Sequence, residues 1–309
     1  MATDAPLLTR QRVFAAKIET TTGSVEALAA ADATTNVFDP VFTPDVTTNE
    51  RTGQSNLSHR TAVHGTRAGT FTLETELVGS GTSGSDPLWA STLLNACGFT
   101  ASGQTYSPDT DSVTTLTMGT YEDGRNRLLL GCMGTFTMTL TAGNPVRVAW
   151  EFSGKLGVHT DVALLAPTYD TTLPPRFASA TVTIGGNNYK VNEVVIASNC
   201  EVVMREDASD VTGIHAHYIV ARRPTVTIDP EAQLYATKDF HADWLAETEA
   251  AINIVVGSAT GNTITLNAPK AQLTNAPVGD RNGLLVEALE YQCNRSAALG
   301  DDELTVAFS

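Results

Sequence analysis

The chain has 309 residues, 42% of them apolar, which is enough to bury a substantial core and favours two domains of ordinary size over one. Its 34 acidic and 19 basic residues leave a net charge of −15, and Arg222–Arg223 is the one adjacent basic pair, so a phosphate-neutralising basic stripe is excluded. No stretch approaches the ~18 apolar residues of a membrane helix, and the opening MATDAPLLTRQRVFAAKIE has no signal-type apolar run; both predict a soluble protein made in the cytoplasm, with no membrane partner.

In chain order, residues 49–67 (NERTGQSNLSHRTAVHGTR) are polar, mixed in charge and too long for a tight hairpin, and read as a long loop. GTFTLETEL at 69–77 then alternates apolar and polar residues, as a half-buried strand does. DPLWASTLLNACG at 86–98 reads as a helix, with Asp86 able to cap, Pro87 suited to the first turn and Gly98 ending the run. TTLTMGT, GTFTMTLTA and VRVAWEFSG follow as strands at 114–120, 134–142 and 146–154. Residues 155–177, with Pro167, Pro174 and Pro175, read as a linker. Beyond it, ASATVTIGG, PTVTIDPEA, NTITLNA and ELTVAF predict further strands, REDASDVTGIHAH at 205–217 a second polar loop, and TKDFHADWLAETEAA at 237–251 a second helix.

Sliding the chain by 155 positions sets Arg67 on Arg222, Thr70 on Thr225, Leu73 on Ile228, Glu74 on Asp229 and Trp89 on Trp244. Phe136 falls on Tyr291, and one inserted residue brings Phe152 onto Phe308. Matched strand, helix and closing strands in one order predict a tandem duplication, with domains at 1–157, including an N-terminal arm, and 158–309, including the linker. Strand alternation puts Phe71, Leu73, Thr75 and Leu77 on a covered face and Thr70, Thr72, Glu74 and Glu76 on a wet one. The second copy divides likewise: Val226 and Ile228 inward; Thr225, Thr227, Asp229 and Glu231 outward. The predicted fold is mainly β, two tandem β-sandwich or barrel domains, each with a flanking α-helix.

The combination and order of RVFAAKIETTTGSVEALAAADA, TYEDG, GCMGTF, LLAPTYDTTLPPRFASATVTIGG, GDRNG and NRSAALGDDELTVAF, over nearly the whole length, resembles the tail tube proteins of long-tailed bacteriophages and prophages. The resemblance implies a structural virion protein and no enzyme: rings closing an inner β-barrel, stacked into a hollow tube through which double-stranded DNA leaves. It implies as partners further copies of the chain, a tape-measure protein, and tail-terminator and tail-tip proteins. A lumen wide enough for duplex DNA needs roughly twenty or more strands, which a duplicated chain reaches as a trimer with pseudo-sixfold symmetry. The lumen-facing set would be Thr70, Thr72, Glu74, Glu76, Thr225, Thr227, Asp229 and Glu231, whose carboxylates repel phosphate. The same resemblance assigns ring stacking to the two polar loops, at Glu50, Arg51, His59 and Arg60 in the first and Arg205, Glu206, Asp207 and His215 in the second.

Other motifs carry little. GSGTSG at 79–84 satisfies the dinucleotide spacing, but no strand–helix alternation surrounds it and the second copy has LYATKD at that place. His215 and His217 with Asp207 or Asp210 form a weak metal pattern, and they read instead as solvent-facing polar residues, since the first copy has Arg60 and Ala62 at the matching places. Cys97, Cys132, Cys200 and Cys293 lie far apart with no CxxC and read as buried thiols. Asn56 and Asn294 match a glycosylation acceptor that matters only in a secreted eukaryotic protein. No cofactor or metal is expected, and the competing reading is a carbohydrate-binding or adhesive β-sandwich.

Overall fold

A computed structural model describes residues 6–33, 36–112 and 114–309. It is mainly β, 53% strand and 6% helix, as the alternation predicts. The first half holds β1 (Arg12–Ile18), β2 (Val37–Thr52), β3 (His59–Glu76), β4 (Phe99–Ser102), β5 (Thr105–Pro108), β6 (Leu116–Glu122), β7 (Arg125–Thr141) and β8 (Arg147–Leu156). In the second lie β9 (Thr181–Ile184), β10 (Asn187–Asn188), β11 (Val191–Ala197), β12 (Cys200–Glu206), β13 (Ile214–Arg222) and β14 (Thr225–Pro230). These are followed by β15 (Glu249–Val256), β16 (Ile264–Asn275), β17 (Val278–Arg281), β18 (Leu284–Glu287), β19 (Leu289–Cys293) and β20 (Thr305–Phe308).

Hydrogen-bond pairing runs β1-β6-β7-β8-β3-β2 in the first half and β9-β15-β16-β19-β14-β11 in the second, antiparallel throughout. The two orders are the same. β11 bonds to β7 as well as to β14, so both ladders fuse into one sheet that crosses from half to half. Most buried apolar side chains of both halves likewise form one cluster, apart from a small one of Val13, Ala15, Ala33 and Tyr121. At its centre Trp150 stacks on Phe152 at 6.0 Å and meets Phe136 at 5.5 Å, and Phe308 from the C-terminal strand lies 5.5 Å from Trp89.

A single offset does not survive the helix. Tyr291 faces Val226 on β14 as Phe152 faces Phe71 on β3, so Tyr291 is the counterpart of Phe152 and not of Phe136. The first half carries an added hairpin, β4–β5, after its helix, which displaces every later strand; Phe308 sits in β20, an extra strand pairing with β16 and β5.

The helices also differ from expectation. The first winds as a π-helix over Ala90–Leu94, and Asp86 does not cap it but accepts from the Tyr106 hydroxyl at 2.9 Å. Gly98 ends it at φ +75. The second is short, Phe240–Leu245, capped by Asp239, whose side chain accepts from the Ala242 N–H at 2.8 Å. Its predicted tail is the start of β15, where Ile252, Ile254 and Val256 alternate into the core and decide for strand.

Both predicted loops are hairpin arms. Glu50 and Arg51 lie in β2, and His59 and Arg60 lie in β3, leaving only residues 53–58 as the connection. Arg205 and Glu206 end β12, Asp207 begins the turn and His215 lies in β13. Polarity hid the strands of the first arm and β12, whose faces are both largely wet, while β13 buries Ile214 and Ala216 too briefly to mark a strand among its polar neighbours. The second arm breaks away at Asn199, φ +45, and folds onto the first half: the Arg67 N–H donates to the Thr212 carbonyl at 3.0 Å and Lys155 Nζ to Asp210 Oδ2 at 2.6 Å. Gly131 is required beneath it, at φ +61, with a Cβ that would lie 2.8 Å from that of Ala216.

Burial alone would raise the Asp210 carboxyl, but hydrogen bonds from Lys155 and Thr212 bring it down to about 2 from an ordinary 3.8. A depressed carboxyl stabilises the fold above its unfolded value and ceases to as pH falls through the folded one. Stability should therefore drop between about pH 4 and pH 2, and Asp210→Asn should cost about 2 kcal/mol at neutral pH and flatten that limb. Urea midpoints across the acid range check both.

Candidate functional site

The strand at 69–77 alternates in place: Phe71, Leu73, Thr75 and Leu77 are buried, while Thr70, Thr72, Glu74 and Glu76 look the other way. On β14, Val226 and Ile228 are buried and Thr225, Thr227 and Asp229 are turned outward, with Glu231 just beyond. Each set lies on a β-branched, threonine-rich strand that the aromatic core fixes from one side only.

Register carries this face across the sheet. One row runs Glu74, Ala149, Thr137, Ala197, Thr225, Gln292 and Gln272, one residue per strand from β3 to β16. The next runs Glu76, Arg147, Thr139, Val195, Thr227, Glu290 and Asn275. Both pass through the β7–β11 junction without a step, so the two predicted sets belong to one surface. Glu151, Glu193 and Glu290, missed by repeat matching, are exposed on it. The alternation of VRVAWEFSG contained the first, while Glu193 lies in VNEVVIA, which has no such alternation; their place beside the predicted residues came only with the pairing.

The carboxylates are not equivalent. Asp229 Oδ1 accepts from the Asn192 and Glu193 N–H groups at 2.8 and 2.7 Å, and its Oδ2 meets Arg281 at 2.9 Å. Arg281 also holds Glu231 at 3.3 Å. These two acids brace the β17–β18 hairpin against β14. Arg147 approaches Glu74 at 3.6 Å, an exposed pair of small energetic value. Among the described residues Glu76, Glu151, Glu193 and Glu290 have no ion-pair partner, so the face carries net negative charge with hydroxyls between.

The arm residues Glu50, Arg51, His59 and Arg60 are exposed near the end of the β2–β3 hairpin. In the second arm Arg205 Nη1 lies 3.3 Å from the Tyr218 hydroxyl, and His215 Nδ1 lies 3.9 Å from Asp207. His217, by contrast, is buried, its pKa pushed down to about 4 by burial. No three His, Cys, Asp or Glu side chains gather at metal-binding distance among the described residues. GSGTSG packs backbone to backbone with another loop: a Cβ on Gly79 would lie 2.2 Å from the Gly261 carbonyl oxygen, which accounts for that glycine without a nucleotide. All four cysteines are buried and free.

No helix of the described residues is long and apolar enough to cross a membrane. A family described as phage tail tube protein matches residues 9–293. No curated protein matches the chain. With almost the whole length covered, the chain belongs to the phage tail tube proteins, structural components of the virion tail.

Proposed function

We propose that this tail tube protein assembles as a trimeric ring of pseudo-sixfold symmetry, that rings stack into a hollow tube, and that the polar face described above lines its channel. The observation that carries the proposal is the sheet running unbroken through both halves with one hydroxyl- and carboxylate-rich face. From β2 to β16 it contributes eight strands, so three copies supply roughly twenty-four, in the range a DNA-wide barrel requires. The common strand order of the halves supports a duplicated tube unit, 1–157 and 158–309, each filling one of six places.

On this reading Glu74, Glu76, Glu151, Glu193 and Glu290 repel the phosphate backbone, while the threonines keep the wall wet and low in adhesion. Duplex DNA passes without being held, and during assembly the channel accommodates a tape-measure protein; terminator and tip proteins close its ends. The exposed end of the first arm, with Glu50, Arg51, His59 and Arg60, and the outer side of the second, with Arg205, Glu206, Asp207 and His215, make the contacts between rings.

Glu74→Lys, Glu151→Lys and Glu290→Lys combined in virions should leave tails of normal length and slow DNA exit at least about tenfold, as three added cations per copy line the path. Unchanged exit kinetics would remove the channel assignment. Arg51→Glu should leave single rings and shorten tubes in negative stain; tubes of normal length would exclude the first arm from stacking. An adhesive β-sandwich would instead remain monomeric and bind glycans.

A further inference from the structure

The in-chain junction between the halves has two unfilled counterparts, one at the β2 edge of the sheet and one on the separate β17–β18 hairpin. Following register, Glu231 bridges Val286 as Glu76 pairs with Arg147, and Gly279 pairs with Val286 as Thr139 pairs with Arg147. β17 is therefore the counterpart of the end of β7, with Val278 in the place of Met138 and Arg281 in that of Thr141. On the other side, Val37 faces Thr75 and Val41 faces Thr72, as Val191 faces Pro230 and Val195 faces Thr227, with a one-residue bulge between these pairs in both halves. β2 is thus the counterpart of β11, with Asp39, Val41 and Phe42 in the places of Glu193, Val195 and Ile196.

Within the chain Ile196 and Met138 are directly opposed and buried, at 1% and 0% exposure. Their counterparts are less covered: Val278 is 64% exposed, and Phe42, against Phe71, His159 and Arg127, is only half-buried, while β2 pairs only with β3 and β17 only with β18 among the described residues.

We infer that β17 of one copy pairs antiparallel with β2 of a second copy, in the register of the β7–β11 junction. This sets Phe42 against Val278, Val41 against Gly279 and Asp39 against Arg281. The inference rests on the ring reading above and adds to it the pair of edges and their alignment. An apolar contact forms on the core side, as at Ile196–Met138, and an opposite-charge pair on the channel side, where Arg281 already balances Asp229 and Glu231. Pro40 cannot donate to the ladder, so β2 is a poor template for unspecific pairing, and the register rests on the side chains flanking it. Closing the ring this way makes every junction alike, in-chain or between chains.

Directly opposed residues at a non-hydrogen-bonded position suit a disulfide. The full chain carrying Val41→Cys with Gly279→Cys should, on mild oxidation, run mostly as covalent trimers on non-reducing gels, while Val41→Cys with Arg281→Cys, displaced by two residues, should not. A Cβ on Gly279 meets Val286 at an ordinary 3.4 Å, so the variant is accommodated. Val278→Asp should keep the wild-type melting curve and raise the concentration needed for rings at least tenfold. Rings in negative stain with no cross-link at 41–279, equal cross-linking of the displaced pair, or rings unaffected by Val278→Asp would overturn this junction and leave the tube reading standing. Absence of rings from the wild-type protein would overturn both.

Discussion

Trp150→Ala is expected to lower unfolding free energy by about 3–5 kcal/mol, the range for deleting a large buried aromatic. The indole is 2% exposed and touches rings from three elements: Phe152 at 6.0 Å, Phe136 at 5.5 Å and Trp89 at 6.0 Å. Its N–H donates to the Thr75 hydroxyl at 2.9 Å in a buried position, so the truncation also removes a polar partner where water cannot replace it. Strands of the sheet hold these neighbours, which limits collapse into the cavity. Trp244→Ala is the internal comparison: that ring is 39% exposed, and its loss should cost no more than about 1 kcal/mol. Urea unfolding of both variants measures the difference, and equal midpoints would refute a core centred on Trp150.

Glu19→Gln should cost about 3 kcal/mol, because the carboxylate is a hub of acceptors at 7% exposure. Oε2 accepts from the Gly23 N–H at 2.6 Å and the Thr115 hydroxyl at 2.7 Å; Oε1 accepts from the Gly131 N–H at 2.7 Å and the Thr117 hydroxyl at 3.1 Å. An amide offers one acceptor oxygen and places its own N–H groups against two of these donors. Gly131 is the left-handed bulge in β7 within its pairing with β6 and β8, upstream of the stretch that pairs with β11, so the damage should spread along β7 to the junction of the halves. Faster amide exchange at Gly131 and along β11 is the accompanying signature. A neutral effect on both stability and exchange would show that the hub is dispensable.

The alternation in GTFTLETEL and PTVTIDPEA was legible because the side-chain period of a strand is a local property: whichever partner it finds, Phe71 and Leu73 must share a face opposite Thr72 and Glu74. The same patterning marked the mainly β class, and Gly98 marked a helix end through its backbone freedom. The arms were not legible, since the first is wet on both faces and carries no apolar period, and the second buries only the short Ile214–His217 stretch against the first half. Nor was the counterpart of Tyr291, because the β4–β5 insertion breaks the offset in a way that only cross-strand pairing corrects.

By itself, then, the amino-acid order determined which residues of each strand turn to the core and which to water, and the strong excess of acid. The tertiary structure decided which strands lie side by side, that β7 and β11 merge two ladders, and that Glu151, Glu193 and Glu290 join the predicted residues on one wall. The reason is range: facing depends on neighbours two residues away, whereas register and adjacency are set by hydrogen bonds and packing between segments remote in the chain.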